Sequence, residues 1–384
     1  MHSQGLKAMV LAAGVGSRLE PLTRQVPKPL VPFANVPVME YIQRLLLRHG
    51  ITQTISNVHY LPEKVPAYFG DGARWGMQMS FVAEPTLSGD AGGMRACRSF
   101  LEDGTFIVLM GDLVTDMDLS YVINQHRDRG ALATIALKQV EDVERFGVAV
   151  LNSDGFITGF QEKPARHAAK SNLASTGVYV FEPEIFEYLS GDDQVGFGKN
   201  VFPRLVENNL PLLGVEVYGY WSDIGTIGQY QSSTFDAVQG MIDLDLPGER
   251  TEIGWVAPDA SIASGCLIEG AVVLGSNSHI DEGVLIKGYA VVGDNCIIGR
   301  GAVLEDTIIW NGTTIGTNAR LKNSVIGNNV YIAAGTKIFN TATVEPANTR
   351  PQEKLHIAVD NTSPHVIQSP LDALWDGQWD SESA

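Results

Sequence analysis

Residues 7–30 read "KAMVLAAGVGSRLEPLTRQVPKPL": a short apolar run gives way to Gly14 and Gly16, and Arg18, Arg24 and Lys28 follow within a dozen residues. Glycines let a backbone turn tightly and expose its N–H groups, a geometry that binds phosphate oxygens. Cations such as Arg18 and Lys28 beside that turn could neutralise a triphosphate and its departing pyrophosphate. The spacing is neither G-x-x-x-x-G-K-[ST] nor G-x-G-x-x-G, so on the glycines alone an ordinary turn is the stronger reading. Asp112 follows a second apolar run, "TFIVLM", in "MGDLVTD". It places a carboxylate at the C-terminal end of a strand, where open α/β folds bind ligands. An aspartate that caps the next turn is the alternative. Glu162 and Lys163, in "GFQEKP", read by themselves as a solvated pair beside a proline turn.

The elements that must carry these residues fall into two regions, as a chain of 384 residues leads one to expect. Residues 7–240 alternate short apolar runs with helix-period segments, the pattern of an α/β domain on a mainly parallel sheet. Lys7–Ala13, Thr105–Met110 and Leu132–Leu137 read as strands, being short and uniformly apolar. Val38, Ile42, Leu45 and Leu46 recur at helical spacing and stop at Gly50. From residue 254 the period changes: Val256, Ile262, Ile268, Leu274, Ile280, Ile286, Val292, Ile298 and Leu304 stand six apart. The rhythm resumes after steps of five at Ile309, Ile315 and Leu321, and again at Ile326, Ile332 and Ile338. An aliphatic residue at every sixth position fills the interior of a parallel β-helix, and the shortened steps read as irregularities within it. The expected divisions are a catalytic domain at 1–240, a linker at 241–253, the solenoid at 254–345 and an acidic tail at 346–384 with Trp375 and Trp379.

Composition narrows the partners. The 27 basic and 44 acidic residues give a formal charge of -17, which repels nucleic acid and anionic membranes, so an anionic ligand needs a local basic pocket. No stretch approaches the ~20 apolar residues that membrane insertion requires, and the run at Ala8–Ala13 is too short for a signal peptide. Cys97, Cys266 and Cys296 have no metal-ligand spacing and read as small core residues of a protein kept in a reducing cytoplasm.

The longer stretch "LAAGVGSRLEPLTRQVPKPLVP" closely resembles the signature of the sugar-1-phosphate nucleotidylyltransferases, also called nucleotide-sugar pyrophosphorylases. The region from 254 resembles the left-handed β-helix of hexapeptide-repeat proteins. The resemblance implies a Rossmann-like nucleotidyltransferase domain followed by a left-handed parallel β-helix, with a nucleoside triphosphate and a sugar 1-phosphate as substrates. It makes Leu11, Ala12, Ala13, Gly14, Gly16, Glu84, Gly89 and Asp112 nucleotide-binding and gives Arg18 and Lys28 the triphosphate. Asp112 and Asp223, the latter in "YWSDIGT", become ligands of a magnesium ion; few carboxylates completed by phosphates and water suit that cation. Lys163 would hold the phosphate of the sugar, with Glu162, Gly147, Ser175, Thr176 and Gly177 around the sugar ring. Ser175 stands where many relatives carry asparagine.

The stretch "EPTLSGDAGGM", residues 84–94, resembles the family's base-recognition loop. Glu84 offers only acceptors. Guanine presents two donors there, so GTP with mannose 1-phosphate is the expected pair and UTP or dTTP with glucose 1-phosphate the alternative. Asp90, which replaces a usual threonine, opens the base assignment further. Two readings of other classes stand beside this one: an acyltransferase using His279 of the repeat, and a non-catalytic regulatory homologue. The solenoid is expected to support a homo-oligomer, which repeat stacking and edge protection favour.

Overall fold

The computed structural model describes residues 5–189 and 195–344, and the backbone of 357–358. The expected tail at 346–384, with Trp375 and Trp379, lies outside the described residues except for that short pair. The N-terminal domain contains β1 (Lys7–Leu11), α1 (Val38–Arg48), β2 (Gln53–Val58), β3 (Gln78–Ala83), α2 (Asp90–Ala96) and β4 (Phe106–Met110). It continues with α3 (Leu119–Arg129), β5 (Ala133–Gln139), β6 (Gly147–Leu151), β7 (Ile157–Glu162), β8 (Leu173–Phe181), β9 (Leu212–Glu216) and α4 (Ile227–Val238).

These strands form one nine-stranded sheet in the order β7-β6-β8-β4-β1-β2-β3, with β5 and β9 branching from β8. The run β4-β1-β2-β3 is parallel throughout, so the C-terminal ends of β1, β2 and β4 open on the same edge. The strand order reverses between β1 and β4, and a crevice there is where such sheets take ligands. Strand β1 stops at Leu11, two residues short of the apolar run. The reason is local: the Ala12 N–H leaves the ladder and donates to Asn57 Oδ1 at 3.0 Å. Helix α1 buries Ile42, Leu45 and Leu46 of the predicted face against the sheet together with Met39, whereas Val38 is buried in a different core, with Tyr41 and Tyr230. Asp118 caps α3 by accepting from the Tyr121 N–H at 3.0 Å, and Thr226 caps α4 by accepting from Gln229 N–H at 3.3 Å.

The C-terminal region stacks short parallel strands into a solenoid. Leu274, Ile280, Ile286, Val292, Ile298, Leu304, Ile309, Ile315, Leu321, Ile326, Ile332 and Ile338 all lie buried in its interior. Val256, Ile262 and Ile268 are only partly covered, because the first coil has solenoid on one side alone. The first step of five has a visible cause. Strand Leu285–Val292 pairs with Val303–Ile309 with a register shift between Lys287 and Ala290. At that corner Asp306 turns with φ +46° and its Oδ1 accepts from the Tyr289 N–H at 3.1 Å. A side chain thus completes the turn that the missing residue would have made.

Residues 241–253, expected to be a linker, are more than a connector. Ile242 and Leu246 are buried in a core shared by both regions, and Glu249–Thr251 pairs antiparallel with Gly254–Val256. That core joins Tyr41, Ile227, Tyr230 and Phe235 to Val273, Val291, Ile308, Trp310 and Val325, so the solenoid packs broadside on α4. Each such side chain contributes about 1.5–3 kcal/mol on burial. Among the described residues no helix is long and apolar enough to cross a membrane.

Candidate active site

Loops leaving the C-terminal ends of β1, β2 and β4 enclose a cavity of about 330 Å³. Leu11, Ala12, Ala13, Gly14, Lys28, Glu84, Gly89 and Asp112 line it, so most of the residues assigned to nucleotide and triphosphate meet in one place. Gly16 lies behind that wall with φ +72°; a Cβ there would stand 3.1 Å from both Lys28 Cβ and Thr23 Cγ2. It shapes the loop around Lys28. Gly111, between β4 and Asp112, donates to Leu11 O at 2.9 Å, and a Cβ at that position would meet the same oxygen at 2.8 Å. The absence of a side chain there brings Asp112 down onto the loop after β1.

Lys28 is the centre of the ionic cluster. Its ammonium, on a residue only 8% exposed, donates to Asp112 Oδ2 and, at 3.2 Å, to the backbone carbonyl of Asp223. Asp223 in turn accepts from Arg145 Nη2 at 3.3 Å, and the same nitrogen donates to Gln229 Oε1 at 2.5 Å. Arg18 is exposed, yet its Nη1 comes within 3.4 Å of the position a Cβ on Gly225 would take, beside Asp223 Oδ2 and Arg145 Nη2. Arg18, Lys28 and Arg145 therefore surround the two aspartates that sequence placed as metal ligands. Arg145 was missed. Its signal was its place directly before "FGVAV", two residues ahead of Gly147, and nothing in that stretch alone points toward Asp223.

The two carboxylates fit a magnesium ion. Among the described residues no three His, Cys, Asp or Glu side chains gather as a cage. The Asp112 carboxylate meets Lys28 and the Asp223 carboxylate meets Arg145; a donor set of one or two carboxylates suits a metal that keeps waters and substrate phosphates as its other ligands.

Glu84 differs from its sequence assignment in one respect. It lines the cavity but is 7% exposed, and both of its oxygens are already engaged. Oε1 accepts from Asn57 Nδ2 at 2.5 Å; Oε2 accepts from Ser88 Oγ at 2.5 Å and from Ser88 N–H at 3.2 Å. Asn57, also missed, passes the connection on to Ala12 of the loop after β1. Asp90 lies beside them with Oδ1 accepting from the Ala91 and Phe197 N–H groups, each at 2.7 Å. Burial pushes its carboxyl up to about 6, against those two hydrogen bonds, which act to lower it.

The sugar-side residues gather around the ends of β6, β7 and β8, apart from the cavity lining. Lys163 follows β7 with φ +48°, and its side chain is 59% exposed. Its ammonium stands 3.9 Å from Glu162 Oε1, a loose pair that leaves the cation available to an anion. A Cβ on Gly147 would lie 2.9 Å from Glu162 Oε2, and one on Gly198 would lie 2.1 Å from it, so glycines make the room for that carboxylate. Gly177 turns with φ +79° where a Cβ would strike Met110 Cγ at 2.7 Å. Ser175 Oγ pairs with Tyr179 OH at 3.1 Å. The Thr176 hydroxyl is buried and donates to Ala136 O at 2.8 Å, while its carbonyl accepts from Trp221 Nε1 at 2.8 Å. Thr176 therefore shapes this wall through its backbone.

Elsewhere, Cys97 and Cys296 are buried core residues whose thiols burial pushes up to about 12 and about 11, and Cys266 is partly covered. His279 sits on an outer ladder of the solenoid with Nδ1 2.6 Å from Ser261 Oγ and Nε2 3.0 Å from Asp281 Oδ1.

Known proteins share this arrangement. The family described as nucleotidyl transferase matches residues 7–239, and the EIF2B subunit epsilon LbH domain, a left-handed β-helix, matches residues 252–348. A UTP–glucose-1-phosphate uridylyltransferase of Synechocystis is 36% identical over 337 residues, covering 82% of this chain and 86% of its own. A mannose-1-phosphate guanylyltransferase of Mycobacterium tuberculosis is 30% identical, covering 73% of this chain and 78% of its own. A crystal structure from Bacillus anthracis, of a chain provisionally named a glucose-1-phosphate thymidylyltransferase, aligns with TM-score 0.56 at 25% identity over 63% of this chain and 97% of that one. The chain belongs to the nucleotidyl transferase family, as a sugar-1-phosphate nucleotidyltransferase that carries a left-handed β-helix.

Proposed function

We propose that the protein joins UTP to glucose 1-phosphate, giving UDP-glucose and pyrophosphate. A phosphate oxygen of the sugar attacks the α-phosphorus of the nucleotide, and the bond from that phosphorus to the bridging oxygen of pyrophosphate breaks. The nucleophile is already anionic, so alignment and charge neutralisation supply the catalysis and no general base is needed. Arg18 and Lys28 steady the charge that grows on pyrophosphate, and Lys163, exposed on the sugar side, holds the attacking phosphate. Asp112 and Asp223 would hold a magnesium ion, which supplies further charge neutralisation and orients the two phosphates. Lys28, whose ammonium pairs with Asp112, is the cation that an arriving triphosphate would meet in the cavity.

The base assignment rests on the two engaged oxygens of Glu84. The guanine argument needed a carboxylate turned to the base, and three hydrogen bonds from Asn57 and Ser88 already hold this one. The likeness to a uridylyltransferase over 82% of the chain then favours UTP. GTP with mannose 1-phosphate is the second reading, favoured by Asp90, a further carboxylate that lines the same cavity. Pyrophosphate release by the purified protein with magnesium, measured for GTP, UTP, dTTP, ATP and CTP against glucose and mannose 1-phosphates, separates the two. A maximum for UTP with glucose 1-phosphate supports the proposal. A maximum for GTP with mannose 1-phosphate overturns the base and sugar and returns the acceptor role to Glu84 or Asp90.

A further inference from the structure

The solenoid touches the catalytic domain through more than apolar surface, and its one buried tryptophan bears on the ionic cluster. Trp310 is 2% exposed and its Nε1 donates to Tyr230 OH at 3.0 Å; Tyr230 is fully buried on α4 and its hydroxyl donates to Pro32 O at 2.5 Å. A phenol hydroxyl rotates freely until its partners choose a direction. With the indole N–H on its lone pair, this one is aimed at Pro32. The two chain segments so tied are the ones that carry the cluster. Pro32 lies four residues after Lys28, and Tyr230 lies seven after Asp223, at the start of the helix that Asp223–Thr226 leads into. Lys28 itself reaches across to the Asp223 carbonyl at 3.2 Å. Pro32–Phe33 pairs antiparallel with Val36–Pro37, and a second tie holds this hairpin to the solenoid: Asn35, with φ +68°, donates through Nδ2 to Val292 O at 2.7 Å.

We propose that Trp310 and Tyr230 are positioning residues for nucleotidylyl transfer, setting the separation of Lys28 from Asp223 through the hydrogen-bonded chain Trp310–Tyr230–Pro32. The β-helix is thereby part of the catalytic geometry, in addition to any part in assembly. The inference rests on the proposed reaction, since it assigns Lys28 and Asp223 to it.

The test uses the full-length protein and three variants that keep the interface filled: Trp310→Phe, Tyr230→Phe and the double variant. Ile308→Val serves as a control, since Ile308 shares the same buried core and makes no hydrogen bond through its side chain. Misplacement by about 1 Å can slow a reaction about 100-fold, so each Phe variant should lose about tenfold or more in kcat while KM for the sugar 1-phosphate stays within about twofold. The double variant should be no slower than the slower single one, because both changes break the same link. Ile308→Val should unfold at a lower temperature and keep its kcat. Phe variants with unchanged kcat, losses that multiply in the double variant, or an equal loss in Ile308→Val would each overturn the inference. Should Trp310→Phe fail to fold, Tyr230→Phe alone decides, since it removes one hydroxyl and keeps the ring. Wild-type protein inactive with every substrate pair would sink the proposed function instead, so the two failures are distinct.

Discussion

In the solenoid, Ile280, Ile298 and Ile315 are fully buried and stacked in register, each strand paired with its counterpart one coil further on. In the N-terminal domain, Lys28 meets Asp112 across 84 residues of sequence and Asp223 across 195, with Lys28 opening a short 3-10 turn and the two aspartates in loops. The interior of the first region spends its side chains on apolar filling and repeats itself, so no single interior residue stands apart from the others; Trp310, on the face toward α4, is outside that pattern. The second brings together single residues from distant segments, each with its own partner. The expectation is that a repeat that loses a methylene loses only stability, whereas the cluster that loses one charge loses the proposed reaction.

The sharpest way to break this contrast is Asp112→Asn. It removes one of two proposed metal carboxylates, so turnover should fall by about 10³-fold, equivalent to the several kcal/mol that a bound metal supplies, with thermal stability nearly intact. Wild-type turnover would remove Asp112 from the mechanism. The mirror experiment is Ile298→Ala in the solenoid interior, which should cost about 2–5 kcal/mol in a denaturant titration and leave kcat at 25 °C unchanged. A large loss of kcat there, with folding intact, would erase the distinction between the regions.

Lys163→Ala tests the open side of the site. Hydrogen bonds to charged groups contribute about 1.5–3 kcal/mol, so the apparent KM for sugar 1-phosphate should rise about tenfold or more while that for the nucleotide barely moves. An unchanged sugar-phosphate KM would count against the assignment. The smallest effect is that of Asp90. Its carboxyl is raised to about 6 by burial, so the stability it lends belongs to the protonated form. That contribution is present below about pH 4 and lost as pH rises through 6. Stability measured from pH 4 to 7 should fall less steeply for Asp90→Asn than for the wild type; parallel curves would show that the group titrates normally.

Much of this was legible in the sequence because the signals were local or periodic. Every hexad residue from Leu274 to Ile338 lies in the interior, since one side chain per solenoid side must fill the same space. The loop after β1 was legible because its glycines, Arg18 and Lys28 lie close together in sequence, within residues 14–28. What local pattern could not carry was pairing at a distance. Glu84 read as a free acceptor because nothing near it in sequence announces Asn57, 27 residues away, as its partner. Arg145 was silent for the same reason, being 78 residues from Asp223. The residues 241–253 read as a linker from their turn residues and charge, while Ile242 and Leu246 found a core that exists only once the solenoid docks.

The central claim is that the cluster of Lys28, Asp112 and Asp223 transfers a nucleotidyl group, and the fate of a label on the α-phosphate tests it most directly. Purified protein with magnesium, glucose 1-phosphate and UTP labelled at the α-phosphorus should convert the label into a nucleotide-sugar, one equivalent for each pyrophosphate released. Label that stays in UTP, or that appears in free UMP with no nucleotide-sugar, across this and every other nucleotide and sugar pair, would contradict the account and leave a fold that keeps the site without its reaction.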